Sequence, residues 1–378
     1  MKRNLIALAV LSATVAPLTA QANPKVYGQI NLSAEAYEQD RDGSVNDQEF
    51  TRMQSNASRF GVKGEAELTG TLSAVYGIEW EVTADGDDIS RLSASTTTAV
   101  DTNGDGKADS TDGKATSTST ISNGNRLDLT QRNRFIGIKH QDFGTIKMGK
   151  YDTYLKLAQG KVDLFNDFAA DMQFTIAGEN RINNVIGYES PKIMNTQFNI
   201  MAQTQDTASK ATNGNSLSIV HHNEESGLYL ALAADMGING SSAVFSSREN
   251  DTMRLVGSYK IADLTLNALY STSSAVVETK RADGKMYDDA ETAYLLGAAY
   301  KLNDIVFKAQ YSAAEADDTD GLAATANVEK TQATIGADYN FSSKTRAFVW
   351  YTMQEETKKV AINNIETNIL AIGMETKF

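Results

Sequence analysis

Period-two alternation of apolar and polar side chains runs through this chain and shows most plainly at its carboxyl end. There Leu370, Ile372, Met374, Thr376 and Phe378 take one side while Ile369, Ala371, Gly373, Glu375 and Lys377 take the other. Only an extended strand sends successive side chains to opposite faces, so the pattern predicts strands rather than amphipathic helices. The same alternation covers residues 26–37, and residues 59–68 with 72–82, two runs joined by Thr69-Gly70 as a tight hairpin. Further pairs follow to residues 366–378, so that the chain reads as 16 strands linked alternately by seven short turns and eight long connections.

Short turns at one end and long loops at the other are the asymmetry of an outer-membrane barrel, and closure of the last strand on the first removes free edges. A closing strand that alternates up to a terminal Phe also resembles that of bacterial outer-membrane β-barrels. The amino end agrees with export. Met1 to Arg3 is basic, Leu5 to Val15 is apolar and Ala20-Gln21-Ala22 is a small-x-small cleavage site, so residues 1–22 read as a secretory signal peptide. The remainder, 23–378, reads as one all-β transmembrane barrel, because no other stretch approaches the ~20 apolar residues of a spanning helix. The chain has no Cys, which excludes a disulfide scaffold and thiol catalysis. Its formal charge of −13 argues against nucleic-acid binding and mildly favours cations near its surface.

Two long connections stand out. Residues 85–130 are rich in Ser, Thr, Asp and Gly. Residues 152–180 instead carry Leu155, Val162, Phe165, Phe168, Met172 and Ile176, too apolar a set to be left in water, so this loop is expected to fold inside the barrel and narrow it.

Three stretches carry a family likeness: Arg59-Phe60-Gly61-Val62-Lys63-Gly64-Glu65, then Gly137-Ile138-Lys139 ahead of Phe143-Gly144-Thr145, and Arg181 through Tyr188-Glu189-Ser190-Pro191. They resemble the trimeric general porins of Gram-negative outer membranes, and the resemblance spans essentially the whole mature chain. It implies a homotrimer of water-filled channels in the outer membrane, among lipid and lipopolysaccharide, passing small hydrophilic solutes without cofactor. In that family the third loop carries acidic residues into the pore. By position, Asp163 and Asp167 are the constriction acids and Asp171 a third, although Asn166 replaces the family's Pro and Ala169-Ala170 its Gly-Gly. Arg59, Arg132 and Arg181 match the basic ladder on the wall opposite. Gln29 stands where strand one often adds a Lys, which implies a shift toward cations. Opposed charges across a narrow wet pore orient polar solutes and hinder apolar ones; the plainer alternative is that they only solvate a polar lumen.

A second motif is foreign to that family. Residues 101–112 place Asp101, Asn103, Asp105, Lys107, Asp109 and Asp112 at positions 1, 3, 5, 7, 9 and 12 around a Gly at position 6. This is the spacing of a 12-residue calcium loop, with Lys107 contributing its backbone carbonyl and Asp112 standing in for the usual bidentate Glu. The alternative is a solvated acidic loop, since Asp-Gly runs are common turn punctuation. Tyr27, Tyr76, Trp80, Tyr300, Phe307, Tyr339, Trp350 and Tyr351 are candidates for aromatic girdles at the membrane interfaces. The rival readings are a substrate-selective channel of the same fold, a barrel hydrolase and an adhesin. The hydrolase finds no support, because none of the three His stands beside an evident Ser nucleophile or Asp pair.

Overall fold

The computed structural model describes residues 23–42, 47–85, 91–100, 113–122, 129–204, 214–240, 244, 248–280, 284–287, 289–317, 326–359 and 364–378. The expected signal peptide at 1–22 and the calcium motif at 101–112 lie outside the described residues. The strands are β1 (Lys25–Arg41), β2 in two segments (Gln48–Ser55 and Arg59–Thr69), β3 (Leu72–Val82), β4 (Leu129–His140), β5 (Gly144–Asp152), β6 (Arg181–Glu189), β7 (Thr196–Gln203) and β8 (Asn215–Asn223). They continue as β9 (Leu228–Gly240), β10 (Arg248–Ile261), β11 (Leu264–Ala275), β12 (Ala290–Leu302), β13 (Ile305–Ala316), β14 (Asn327–Asn340), β15 (Thr345–Lys358) and β16 (Ile365–Lys377). Each is antiparallel to its sequence neighbours, and β16 pairs with β1 from Gln29↔Lys377 to Arg41↔Ile365. The result is a closed 16-stranded antiparallel barrel, as the alternation predicts.

The structure adds strands to connections that the sequence reading leaves as loop, among them the short pair Thr279–Lys280 and Met286–Tyr287. Residues Gln48–Ser55, read as loop, pair with the upper half of β1, and β2 is broken at Asn56-Ala57-Ser58 before Arg59–Thr69 takes over the lower half. The segment hides from a hydrophobicity pattern because its inward position at Arg52 is charged and is neutralised by the buried Glu35, 2.8 Å away. Within residues 85–130, Arg91–Val100 and Gly113–Ser122 pair as a two-stranded antiparallel sheet, consistent with their content of Thr.

The two faces separate cleanly. Leu266, Tyr270, Leu296, Phe307, Ile335 and Met353 are exposed on the outside, whereas Asn267, Ser271, Gln310, Thr334 and Thr352 are buried within. No helix among the described residues is long and apolar enough to cross a membrane. The outer face is nonetheless an apolar band on a sheet whose strands pair with one another all round the ring, the condition for a strand to sit against hydrocarbon. Tyr300, Phe307 and Tyr339 lie on this face, each nearly half exposed. Two aromatics expected in the girdles do not. Tyr27 points inward and its hydroxyl donates to Glu79 at 3.0 Å, and Trp350 is 1% exposed, with its ring 5.8 Å from that of Phe168. Their alternation phase is inward, and the lumen beside Trp350 is filled by protein rather than water.

Strand β3 provides a test of this phase. Ala74 lines an outward apolar groove with Ile136 and Ile146, while Ser73 faces the lumen with Glu67. A cationic side chain on the outer face costs about 2–4 kcal/mol at the midplane and less toward the interfaces, and in the lumen it costs little. Ala74→Arg is therefore expected to lower the thermal stability of the assembled barrel and Ser73→Arg to leave it near the parent, as read by heat-dependent electrophoretic mobility. Equal stability of the two variants would overturn the assigned phase.

Candidate functional site

The segment between β5 and β6 lies on the inner face of the barrel. It begins with Thr153, whose hydroxyl caps the short helix Tyr154–Leu157 by accepting from the Lys156 amide, and contains a 3₁₀ turn at Met172–Phe174 capped by Asp171. Its apolar residues do not meet water. Leu155, Val162, Met172 and Ile176 pack on Ala231, Ala233, Val256, Leu269 and Leu295 of the inner wall. Phe165 and Phe168 pack on Phe348, Trp350 and Ile369. Full burial of a side chain such as Phe165 contributes about 1.5–3 kcal/mol, and the loop covers these apolar stretches of the inner wall.

The loop's backbone carbonyls have no ladder to join, and the wall supplies their donors. Asn267 donates to the Val162 carbonyl at 3.1 Å, Lys308 to Leu164 at 3.1 Å, and Gln354 and Gln332 to Ala169 and Ala170 at 2.9 and 2.7 Å. At the loop's base the buried Arg254 donates to the carbonyl of Ala177 at 2.7 Å and pairs with Glu179 at 2.9 Å. These side chains satisfy buried polar groups that would otherwise cost about 1–3 kcal/mol each.

Of the six residues expected at a constriction, five line one cavity of about 380 Å³: Arg59, Arg132, Arg181, Asp167 and Asp171. Asp167, in a left-handed backbone conformation (φ 71°) at the loop's tip, accepts from Arg59 across the lumen at 2.8 Å. Arg59 also donates to the Ala57 carbonyl at 3.1 Å, a group turned into the lumen by the break in β2. Arg132 is held by its own wall, at 2.7 Å from Glu79 and 2.6 Å from Glu81 on β3. It reaches that side because the β3–β4 register shifts between Ile78 and Trp80, a bulge that sends both Arg132 and Asn133 inward. Arg181 pairs with Asp152 at 3.0 Å and donates to Asn133 at 2.9 Å.

Asp163 is not brought to Arg59. It is 8% exposed and accepts from the amides of Phe165 and Met172 and from Gln310, at 2.9, 3.0 and 2.9 Å, so it knits the two arms of the tip together. Asp171 divides its role, accepting from the Asp167 and Gln173 amides at 2.9 and 2.8 Å while it borders the cavity. Burial pushes the Asp163 carboxyl up to about 6 against those three hydrogen bonds, and Asp171 is raised by burial and then by the neighbouring charges of Asp163 and Glu179. Reasoning from sequence overlooks Glu79, Glu81, Asp152, Arg254 and Lys308 as partners. Their only sequence signal is a charge at an inward position of a strand, and register alone decides whom each one meets.

A closed barrel with an apolar exterior, a charged lumen and a loop inside it defines a transmembrane channel. The sequence profile of the Gram-negative porins matches residues 7–359. The chain belongs to that family, which consists of outer-membrane channels rather than enzymes, and it resides in the outer membrane. It is similar to the major outer membrane protein P.IB of Neisseria gonorrhoeae, at 24% identity over 375 residues and 92% of each chain. Its fold is similar to that of the anion-selective porin from Comamonas acidovorans, with a TM-score of 0.66 at 16% identity over 95% of this chain and 100% of that one. A trimer form of OmpT from Vibrio cholerae gives a TM-score of 0.58 at 14% identity over 94% and 99%.

The raised Asp163 makes the loop's packing sensitive to acid. A carboxyl whose folded pKa lies above its free value of about 3.9 favours the packed state once protonated, so the loop gains stability as pH falls from above about 6 toward 4. Protection of amides in residues 163–176 from hydrogen exchange, corrected for intrinsic rates, is expected to rise over that window. Asp163→Asn, which has no proton to gain, is expected to lose the part of the rise centred near 6.

Proposed function

We propose that the chain forms a water-filled pore for passive diffusion of small hydrophilic solutes and ions, constricted by the loop between β5 and β6 and weakly cation-preferring. The observation that carries this reading is the Arg59–Asp167 pair, which joins the wall to the loop's tip at 2.8 Å across the charged cavity. Four cationic and four carboxylate side chains border that cavity, so its formal charges balance and small differences between them set its preference. Glu79 and Glu81 beside Arg132, and Gln29 where the general porins often have Lys, tilt the balance toward cations. Similarity of fold to an anion-selective porin does not oppose this, because selectivity resides in side chains that differ at 16% identity.

Reversal potentials across planar bilayers in a salt gradient test the assignment. Asp167→Asn is expected to lower the cation-to-anion permeability ratio, and Arg59→Ala with Arg132→Ala to raise it and increase conductance. Unchanged ratios in both would remove the loop from the conduction path. Liposome swelling over a graded series of sugars separates a general pore, whose rates fall smoothly with size, from a substrate-selective channel of the same fold.

Residues 1–22 are proposed to be cleaved on export, and the mature barrel to assemble as a homotrimer among outer-membrane lipid and lipopolysaccharide, in keeping with the general-porin resemblance and the trimer form of OmpT. The proposal for residues 101–112 is a weak calcium loop that reinforces the assembly. An ion bound only to the native state stabilises it by ~2.7 kcal/mol at 100 times its dissociation constant. Melting of the purified assembly is expected at higher temperature in calcium than in chelator, and Asp101→Ala with Asp105→Ala is expected to abolish the difference. A chelator effect that persists in the double variant would place the ion elsewhere.

A further inference from the structure

The loop's tip is gripped from two sides, and only one of the grips faces the cavity. In front, Asp167 reaches Arg59. Behind, Lys308 of β13 is buried between the tip and the wall, its side chain 5% exposed. Its ammonium lies 3.1 Å from the Leu164 carbonyl, 3.0 Å from Asp338 of β14, and 4.7 and 5.9 Å from the ring centres of Phe165 and Phe168. Leu164, Phe165 and Phe168 bracket Asn166 and Asp167 in sequence. Among the described residues, Lys308 is the one cationic side chain of the wall that donates to a carbonyl of the tip.

A strongly hydrated ammonium buried in this way is costly unless every donor is placed. Here a carboxylate, a hydrogen-bonded carbonyl and the faces of two aromatic rings surround the ammonium and offset its charge. Asp338 does not depend on Lys308 alone, because Arg346 of β15 pairs with its other oxygen at 2.7 Å and with Glu375 of β16 at 3.1 Å. Arg346 also lies 5.9 Å from the Phe168 ring centre, but Lys308 is the charge in this row that donates to a carbonyl of the loop.

We infer that Lys308 is a positioning residue for the pore: by holding the Leu164 carbonyl and the two Phe rings against β13 and β14, it fixes where Asp167 stands opposite Arg59, and so sets selectivity from behind the loop without lining the cavity. The inference rests on the constriction proposed above. It is distinct from the neutral donors Gln332 and Gln354, which hold Ala170 and Ala169 on the far arm of the tip.

The test is a double-mutant cycle on the full-length assembled channel, read by reversal potential and open-channel noise. Lys308→Met keeps the apolar stem under Phe165 and leaves Asp338 paired with Arg346, so the barrel is expected to assemble. Its loop tip is expected to fluctuate, seen as raised current noise, and its permeability ratio to move toward that of Asp167→Asn. If Lys308 acts through the tip, Lys308→Met in the Asp167→Asn background changes the ratio little further, a departure from additivity of about twofold or more. If it acts only as a distant charge, the two effects add and noise stays at the parent level, which overturns the inference. Should Lys308→Met not yield assembled protein, Lys308→Gln carries the same cycle, and Lys308→Arg is expected to restore low noise. An Asp167→Asn variant that alone leaves the ratio unchanged would instead sink the constriction reading, so the two failures are distinguishable.

Discussion

The seam between β1 and β16, hydrogen-bonded along 13 residue pairs, closes the sheet, and the other arrangements follow from that closure. A ring of antiparallel strands pairs its backbone groups internally and leaves no edge to aggregate or to be hydrated. Its outer face is then free to be apolar throughout, and its inner face free to carry whatever the lumen needs. An open sheet of the same strands could support neither the exposed Leu296, Ile335 and Ile372 outside nor the buried Glu35, Asp235 and Lys308 within.

Inside that ring, charge is compensated locally. Arg52, Arg132, Arg181, Lys147 and Arg346 each meet a carboxylate of the barrel wall, and Arg59 meets one from the loop. Wall pairs within a low-dielectric shell hold their side chains in one geometry. The Arg59 pair, like Arg254–Glu179 at the loop's base, joins the wall to the inner loop, and the position of its Asp167 partner depends on how the loop's tip is held. Arg254 at the base, Asp163 within the tip and Lys308 behind it are three separate solutions to one problem, the seating of an irregular segment whose carbonyls have no strand to pair with.

The inner loop also explains why the lumen is not polar all round. From β9 to β13 the inward positions Ala231, Ala233, Val256, Leu269, Leu295 and Ala314 are small or apolar, and the loop's Leu155, Val162, Met172 and Ile176 lie on them. A barrel filled with water on that side would expose this surface at a cost of about 25 cal/mol per Å².

Much of this architecture was legible in the chain alone. Period-two alternation depends only on the pleat, so it placed the strands, their phase at Ser73 and Ala74, the seven short turns and the apolar loop at residues 152–180. The resemblance to the general porins, not the alternation, picked out Arg59, Arg132, Arg181, Asp167 and Asp171, which the fold gathers around one cavity. What alternation could not supply was partnership across strands. Gln48–Ser55 reads as loop because its inward Arg52 is neutralised by a residue on another strand, and Arg132 faces the lumen only through a bulge that shifts the alternation. Asp163 looks like Asp167 in sequence yet is buried among amides of its own loop, and Trp350 looks like a girdle residue yet packs on Phe168. Periodicity reports the face on which a side chain lies; register, bulges and the path of the inner loop determine what it meets there, and these exist only once the sheet has closed.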